Sequence, residues 1–412
     1  MKSNTTEPIA IKRLQLQNVR CFESVDVRFK YRKGRGQWTL LLGDNGVGKS
    51  TVLKSIAIAL SPLQDLMRYP QGRLQRRHAK AGSVSLDTTA GIFKLSLGGF
   101  RDFTFKPDVF AYGAARGTAT GGPERAVDLE HPMGSLSTLF GQAPGLIHAE
   151  SWLVKLGFAA GQSSGGTAEA YFDAVRSTLI KLLPGVDKLE PTPDGFVIEG
   201  PSVGRTSFDG LSDGYLTTIG WVCDLLARWA HANRDRSLDG DFADRMTGLV
   251  LVDELDLHLH PSWQTRIVGD LRARFPQMSF IATTHNPLTL LGARAGEIQV
   301  LQRVEEGVVV KKVDLPRGIR TDEVLTGPWF GLGTTIDRRT TKLLQRYQDA
   351  VLRGDPVAEE LEIELQLRMG TSPGTPEDWK AREIVRQLTG GGPLRKRQLD
   401  ALKAAFKTEM GG

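Results

Sequence analysis

Gly43-Asp44-Asn45-Gly46-Val47-Gly48-Lys49-Ser50 is the stretch that decides how the rest of the chain is read. It meets G-x-x-x-x-G-K-[ST] at every fixed position, and its flanks agree with it. Residues 38–42 (WTLLL) form the apolar run of a strand buried on both faces. After the motif, Val52, Leu53, Ile56, Ala59 and Leu60 recur at helical spacing as far as Pro62. A strand–loop–helix of this composition suits a polyphosphate. Glycines let backbone N–H groups wrap an anion, and the helix N-terminus adds its positive end. Lys49 is placed to reach the β- and γ-phosphates, and the Ser50 hydroxyl to ligate Mg²⁺. Asn45, Gly46, Val47, Gly48 and Thr51 complete the expected nucleotide contacts, so ATP and Mg²⁺ are the expected cofactors.

A second buried run, GLVLV at 248–252, ends in Asp253-Glu254. Two acids closing an apolar strand need a cation or a proton to act on. Asp253 is the expected Mg²⁺ carboxylate, and Glu254 the general base that polarises water. One rival uses the same residues. In DELDLHLH, residues Glu254, Asp256, His258 and His260 alternate, so an extended chain would point all four to one side. With His285 they would form a metallohydrolase centre for Zn²⁺, Mn²⁺ or Fe²⁺.

Two further motifs follow the same order. Leu211-Ser212-Asp213-Gly214 opens a helix whose Tyr215, Ile219, Val222, Leu226 and Trp229 make one apolar stripe. Strand 279–283 runs into Thr284-His285-Asn286-Pro287. The four motifs together resemble the ABC-type ATPases of the RecF/SMC/OLD-like branch, over roughly residues 9–315. Asn18-Val19-Arg20-Cys21-Phe22 is similar to that branch's N-F-R-x-F, and His258-Leu259-His260-Pro261 to its D-loop. The resemblance implies two heads meeting face to face, with Ser212 and Gly214 capping the partner's ATP in trans. His285 would sense the γ-phosphate, and Arg20 is a further nucleotide contact. Hydrolysis would be slow and would work as a switch. Two departures stand out: Tyr112-Gly113-Ala114-Ala115-Arg116 lacks the Q-loop glutamine, and His260 stands where a D-loop aspartate is usual.

The branch includes ATPase subunits of anti-phage systems such as Septu and PARIS. The chain carries no D-x-D of a nuclease centre after the last hairpin, so the implied function is an ATP switch controlling a separate effector, such as a nuclease. A RecF-like DNA-binding repair ATPase is the alternative, and a transporter nucleotide-binding subunit a more distant one. DNA remains a candidate partner: 53 Lys+Arg against 47 Asp+Glu give a net charge of +6. Residues 68–80 are basic without an acid, and Arg395-Lys396-Arg397, Lys403 and Lys407 cluster near the end.

The 412 residues are enough for a full core. Only Cys21 and Cys223 are present, which excludes a disulfide framework and a cysteine zinc site. No apolar run reaches the ~18 residues of a bilayer span, and the first residues hold no uninterrupted apolar core. A cytoplasmic chain with no membrane partner and no secretory leader is expected.

The expected fold class is α/β: an ABC-type P-loop head, a mixed sheet around the P-loop helix, a helical lobe carrying the signature, and a C-terminal helical extension. The head should span 1–334, with lobe I at about 1–112 and 248–318 and the signature lobe at about 113–247; 335–412 should be helical. Strands are expected near 9–19, 25–29, 92–97, 103–105, 109–112, 297–303 and 307–313, and helices at 151–158, 168–183 and 262–275. Trp329 and Phe330 are expected to pack the C-terminal helices or a subunit contact.

Overall fold

The computed structural model describes residues 7–61, 73–97, 108–117, 129, 135–141, 145–162, 166–192, 195–233, 242–305, 307–316 and 318–369. The chain divides into two units, Met1–Gly331 and Leu332–Gly412.

The first unit is built on a mixed six-stranded sheet. From one edge it runs β13 (Gly307–Lys312), β12 (Ile298–Val304), β3 (Trp38–Gly43), β11 (Met278–Thr283), β10 (Gly248–Val252) and β6 (Val109–Tyr112). All neighbours are parallel except the β12–β13 hairpin. Parallel strands buried on both faces read as continuous apolar runs, which is why WTLLL, VFAY, GLVLV and MSFIAT are so short of polar residues. Successive residues serve opposite cores. Leu40, Leu42, Val250 and Val252 join the core under the helical lobe. Leu41, Leu249, Leu251 and Ile281 join the core under α1 (Lys49–Leu60).

That second core is closed by an antiparallel sheet ordered β2-β1-β4-β5: β1 (Ile11–Val19), β2 (Phe22–Arg28), β4 (Ser83–Thr88) and β5 (Gly91–Ser96). Leu14 and Leu16 of β1 face Val27 and Val25 of β2, so the alternation seen in the sequence becomes one buried face. The sequence reading lacked β4, and the strand expected at 103–105 lies outside the described residues.

The signature lobe holds α2 (Ser137–Phe140), α3 (Ala149–Gln162), α4 (Thr167–Leu182) and α5 (Asp213–Ala232). Unlike the helical lobe expected, it also holds β7 (Lys188–Thr192), β8 (Gly195–Gly200) and β9 (Gly204–Ser207), which form a small antiparallel sheet before the signature. Pro191 interrupts one strand and GRTS is polar throughout, so neither strand carries an apolar alternation to read. The helix expected over 262–275 is two pieces, α6 (Pro261–Gln264) and α7 (Ile267–Arg274), with Arg266 at φ −113 between them. α8 (Pro287–Leu290) and α9 (Thr321–Thr326) complete the unit. Trp329 is 7% exposed and belongs to this unit's main core, together with Val324.

In the second unit, α10 (Arg338–Arg353) is capped by Asp337, which accepts from the N–H groups of Arg339 and Thr340, and ends at Gly354 with φ 66. It packs on α11 (Val357–Met369) through Leu343, Ala350, Leu361 and Leu365. The remaining tail, with the basic cluster at 395–407, lies outside the described residues. Among the described residues, no helix is long and apolar enough to cross a membrane.

Candidate nucleotide site

Because β3, β11, β10 and β6 are parallel and adjacent, the residues after each strand gather at one sheet edge. The carboxyl edge of such a sheet is where α/β proteins place ligands. The loop 43–50 follows β3, His285 follows β11, Asp253 and Glu254 follow β10, and Arg116 follows β6.

Each loop glycine has its own reason. Gly43, Gly46 and Gly48 have φ of 140, 75 and 115. A Cβ on Gly43 would lie 2.3 Å from the Leu301 carbonyl oxygen, and one on Gly48 would lie 2.6 Å from Cys21 Sγ and from Phe22 Cζ. These two are therefore fixed by packing against β12 and the β1–β2 turn. A Cβ on Gly46 would meet nothing within 4 Å, so it is the positive φ rather than packing that calls for glycine there. Asp44, Asn45 and Gly46 are exposed, Ser50 is half-buried, and Val47 and Thr51 are buried. Helix α1 starts at Lys49 with no side-chain cap and no acid in its first turn. Its positive end is left for an anion, which fits the cradle expected for a triphosphate.

The Lys49 ammonium donates to the carbonyls of Gly43 (2.6 Å) and Asp44 (2.9 Å). Burial draws its pKa down to about 8, against the opposing pull of Asp253, Asp44 and Glu254. His285 is exposed; partial burial and then the Lys49 charge lower its pKa, while Glu254, Asp256 and Asp253 act the other way. Lys49, His285 and the two acids thus follow strands that end at the same sheet edge, near enough for their charges to act on one another.

Thr283, which the sequence reading did not single out, organises the acids. Its hydroxyl donates to Asp253 Oδ1 (2.6 Å) and accepts the Glu254 N–H (2.7 Å). Among the described residues Asp253 Oδ2 has no hydrogen-bond donor, so with the Ser50 hydroxyl it fits the oxygen ligands Mg²⁺ requires. A hydroxyl at the end of an apolar strand was the available signal.

The rival metal centre does not form. Residues 253–258 are bends and turns rather than a strand, and Glu254 and His258 have φ of 52 and 64, so the alternation never reaches one face. His260 is occupied as the N-cap of α6: Nδ1 accepts the Ser262 N–H and lies 2.8 Å from Ser262 Oγ. Among the described residues, no three His, Cys, Asp or Glu side chains could hold a metal ion.

The two signature residues part company. Ser212 is the exposed N-cap of α5 and makes no side-chain cap bond. Gly214 is buried, and a Cβ there would sit 2.5 Å from the carbonyl oxygen of its own chain's His258. Close packing on the His258 backbone thus accounts for this glycine, and of the two only Ser212 is exposed. Arg20 lies beside the P-loop rather than in it: it has φ 46, and its Nε donates to the Arg73 carbonyl (3.0 Å). Residues 73–80 dock on the same turn through Arg20 N to Leu74 O and Arg76 N to Asn18 O, while 68–72 lie outside the described residues.

Residues 13–103 match a family described as AAA domain, and residues 206–291 match one described as AAA domain, putative AbiEii toxin, Type IV TA system. The Septu protein PtuA of Bacillus mycoides (strain KBAB4) is 27% identical over 82% of this chain and 47% of its own length. The retron Ec83 probable ATPase of Escherichia coli is 31% identical over 43% of this chain and 32% of its own. The chain thus spans about half the length, or less, of the curated relatives it matches. An SMC head solved with the C-winged helix domain of ScpA superposes with a TM-score of 0.41 and 16% identity, over 74% of this chain and 98% of that one. At that superposition the likeness adds nothing to the strand order described above. The resemblance read from the motifs agrees with these matches: the chain is similar to AAA-domain proteins and to Septu and retron ATPases.

Proposed function

We propose that the chain is a Mg²⁺-dependent ATP-binding and hydrolysing switch that closes head to head on ATP and controls a separate effector, in anti-phage defence. The observation that carries this reading is the meeting of Lys49, Asp253, Glu254 and His285 at one sheet edge beside an uncapped helix N-terminus. The relatives among Septu and retron proteins support the setting.

Each residue has a part in this reading. The loop's N–H groups and Lys49 grip the phosphates. Ser50 and Asp253 would hold Mg²⁺, which supplies charge neutralisation at the phosphates when bound. Glu254 takes the proton of the attacking water, and His285 holds the water line at the terminal phosphate. Ser212 of a second copy covers the nucleotide from the other side. Turnover is slow, because the assembled state is the signal.

Calorimetry and sizing test the proposal together. Lys49→Ala should weaken ATP binding at least about 100-fold, the cost of removing a charge-assisted phosphate contact from a partly dry site. Glu254→Gln should bind ATP, hydrolyse it about 100-fold more slowly and accumulate as closed pairs on size exclusion. Tight ATP binding by Lys49→Ala, or unchanged turnover by Glu254→Gln, would overturn the assignment.

A further inference from the structure

Arg116 follows β6 at the place where the resemblance leads one to expect a glutamine. Its side chain is 2% exposed and ends inside the turn that follows β10. Nη1 donates to the carbonyls of Gly113 (3.2 Å) and Asp253; Nη2 donates to those of Glu254 (2.7 Å) and Leu255 (3.2 Å). One planar fork thus grips three consecutive carbonyls and sets their directions relative to one another. The backbone they belong to is unusual, because Glu254 has φ 52, a region non-glycine residues avoid. Arg116 holds this residue from one side and the Thr283 hydroxyl from the other.

The chemistry of this contact is costly. A guanidinium this buried loses its hydration, and its hydrogen-bond partners among the described residues are neutral carbonyls, with Nε unpaired. Its pKa is drawn down to about 10 by burial, while the charges of Asp253, Asp256 and Glu254 pull the other way. An apolar side chain would fill the space with less penalty. What only a guanidinium supplies is the set of donors that fastens the Asp253–Leu255 backbone. The 3₁₀ turn bearing it, Ala114–Gly117, also packs against α5, the helix that Ser212 begins.

We propose that Arg116 is a positioning residue for Glu254: it clamps the 253–255 turn so that the Glu254 carboxylate stays at the sheet edge it shares with Lys49 and His285. This rests on the ATPase reading above. It assigns to Arg116 control of turnover rather than of nucleotide affinity.

The test uses the full chain, with ATP affinity from calorimetry, kcat and KM from phosphate release, and folding from thermal melting. Arg116→Met should bind ATP within about threefold of the unsubstituted chain while kcat falls about 30- to 100-fold, the scale of a displaced catalytic group. Arg116→Lys, which keeps charge and reach but loses the fork, should recover part of this and remain about tenfold slow. If the methionine variant fails to fold, the lysine variant carries the comparison. In a Glu254→Gln background, adding Arg116→Met should cost less than about twofold in single turnover, because the group it positions is already gone. A folded Arg116→Met with kcat within twofold of the unsubstituted chain overturns the proposal. So does a full additional loss in the Glu254→Gln background. If the unsubstituted chain neither binds nor hydrolyses ATP, the ATPase reading falls and takes this one with it, a result distinct from the other two.

Discussion

Lys49 carries the clearest prediction at the scale of a residue. Burial lowers its pKa to about 8, so the neutral amine gains ground in the folded chain well below the usual lysine range. Only the ammonium attracts phosphate. ATP affinity should therefore be level below about pH 7 and fall above about pH 8, by at most about tenfold per pH unit. Isothermal titration across pH 6.5–9.5 reads this directly, and Lys49→Arg should flatten the curve, since guanidinium stays charged throughout. A level profile for the unsubstituted chain would mean that Lys49 does not meet the phosphates. The same shift has a consequence for folding. Between about pH 8 and the ordinary lysine value the unfolded chain binds more protons, so this group's contribution to stability rises with pH there.

At the scale of an element, α5 shows why a stripe is not a complete account of a helix. Ile219, Val222, Leu226 and Trp229 are buried as the spacing predicts, but so are Thr217, Asp224 and Arg228 on other faces. The helix lies inside the lobe, against Tyr112 of β6 on one side and α3 and α4 on another. Its polar residues must then be satisfied internally. Asp224, 0% exposed, accepts from Arg228 Nε (2.9 Å), the Tyr112 hydroxyl (3.2 Å) and the Ile147 N–H (3.1 Å). Burial pushes the Asp224 carboxyl up, and Arg228 opposes it. The cluster fastens the signature helix to the last residue of β6, just before the turn bearing Arg116. Asp224→Ala would strand the Arg228 charge in the core and should cost about 3–5 kcal/mol in denaturant unfolding. Asp224→Asn, which keeps one acceptor oxygen for the Ile147 N–H, should cost less. A loss below about 1 kcal/mol for the alanine variant would mean that α5 does not depend on this cluster.

At the scale of the whole molecule, the question is whether the proposed ATP site needs two copies. Ser212 is exposed at a helix start with no cap bond, whereas Gly214 packs on the His258 backbone of its own chain. In the proposed pair, the P-loop of one head and the Ser212 of the other form each site. Lys49→Ala and Ser212→Arg should each be inactive alone. Mixed in equal amounts they should recover about a quarter of the normal ATPase rate, since random pairing makes about half the pairs mixed and each of these has one intact site. No recovery on mixing would mean that the signature does not act across copies.

The residues of the site were legible in the sequence because their chemistry is local. A glycine loop between an apolar strand and a helix, two acids closing a second strand, and a histidine closing a third are contiguous patterns, and the common direction of parallel strands brings their ends together. What holds those residues in place was not legible. Arg116 reaches across 137 and more positions to the turn it grips, Thr283 across about 30 to both acids, and Tyr112 across 112 to Asp224. The metal set imagined from DELDLHLH failed for the same reason: its alternation assumed an extended chain, and the clamped turn bends it. Periodicity and motif spacing record which way a side chain faces along its own element. Which buried donor meets which carbonyl is settled only when distant segments pack, because there an unpaired polar group costs more than any local preference can return.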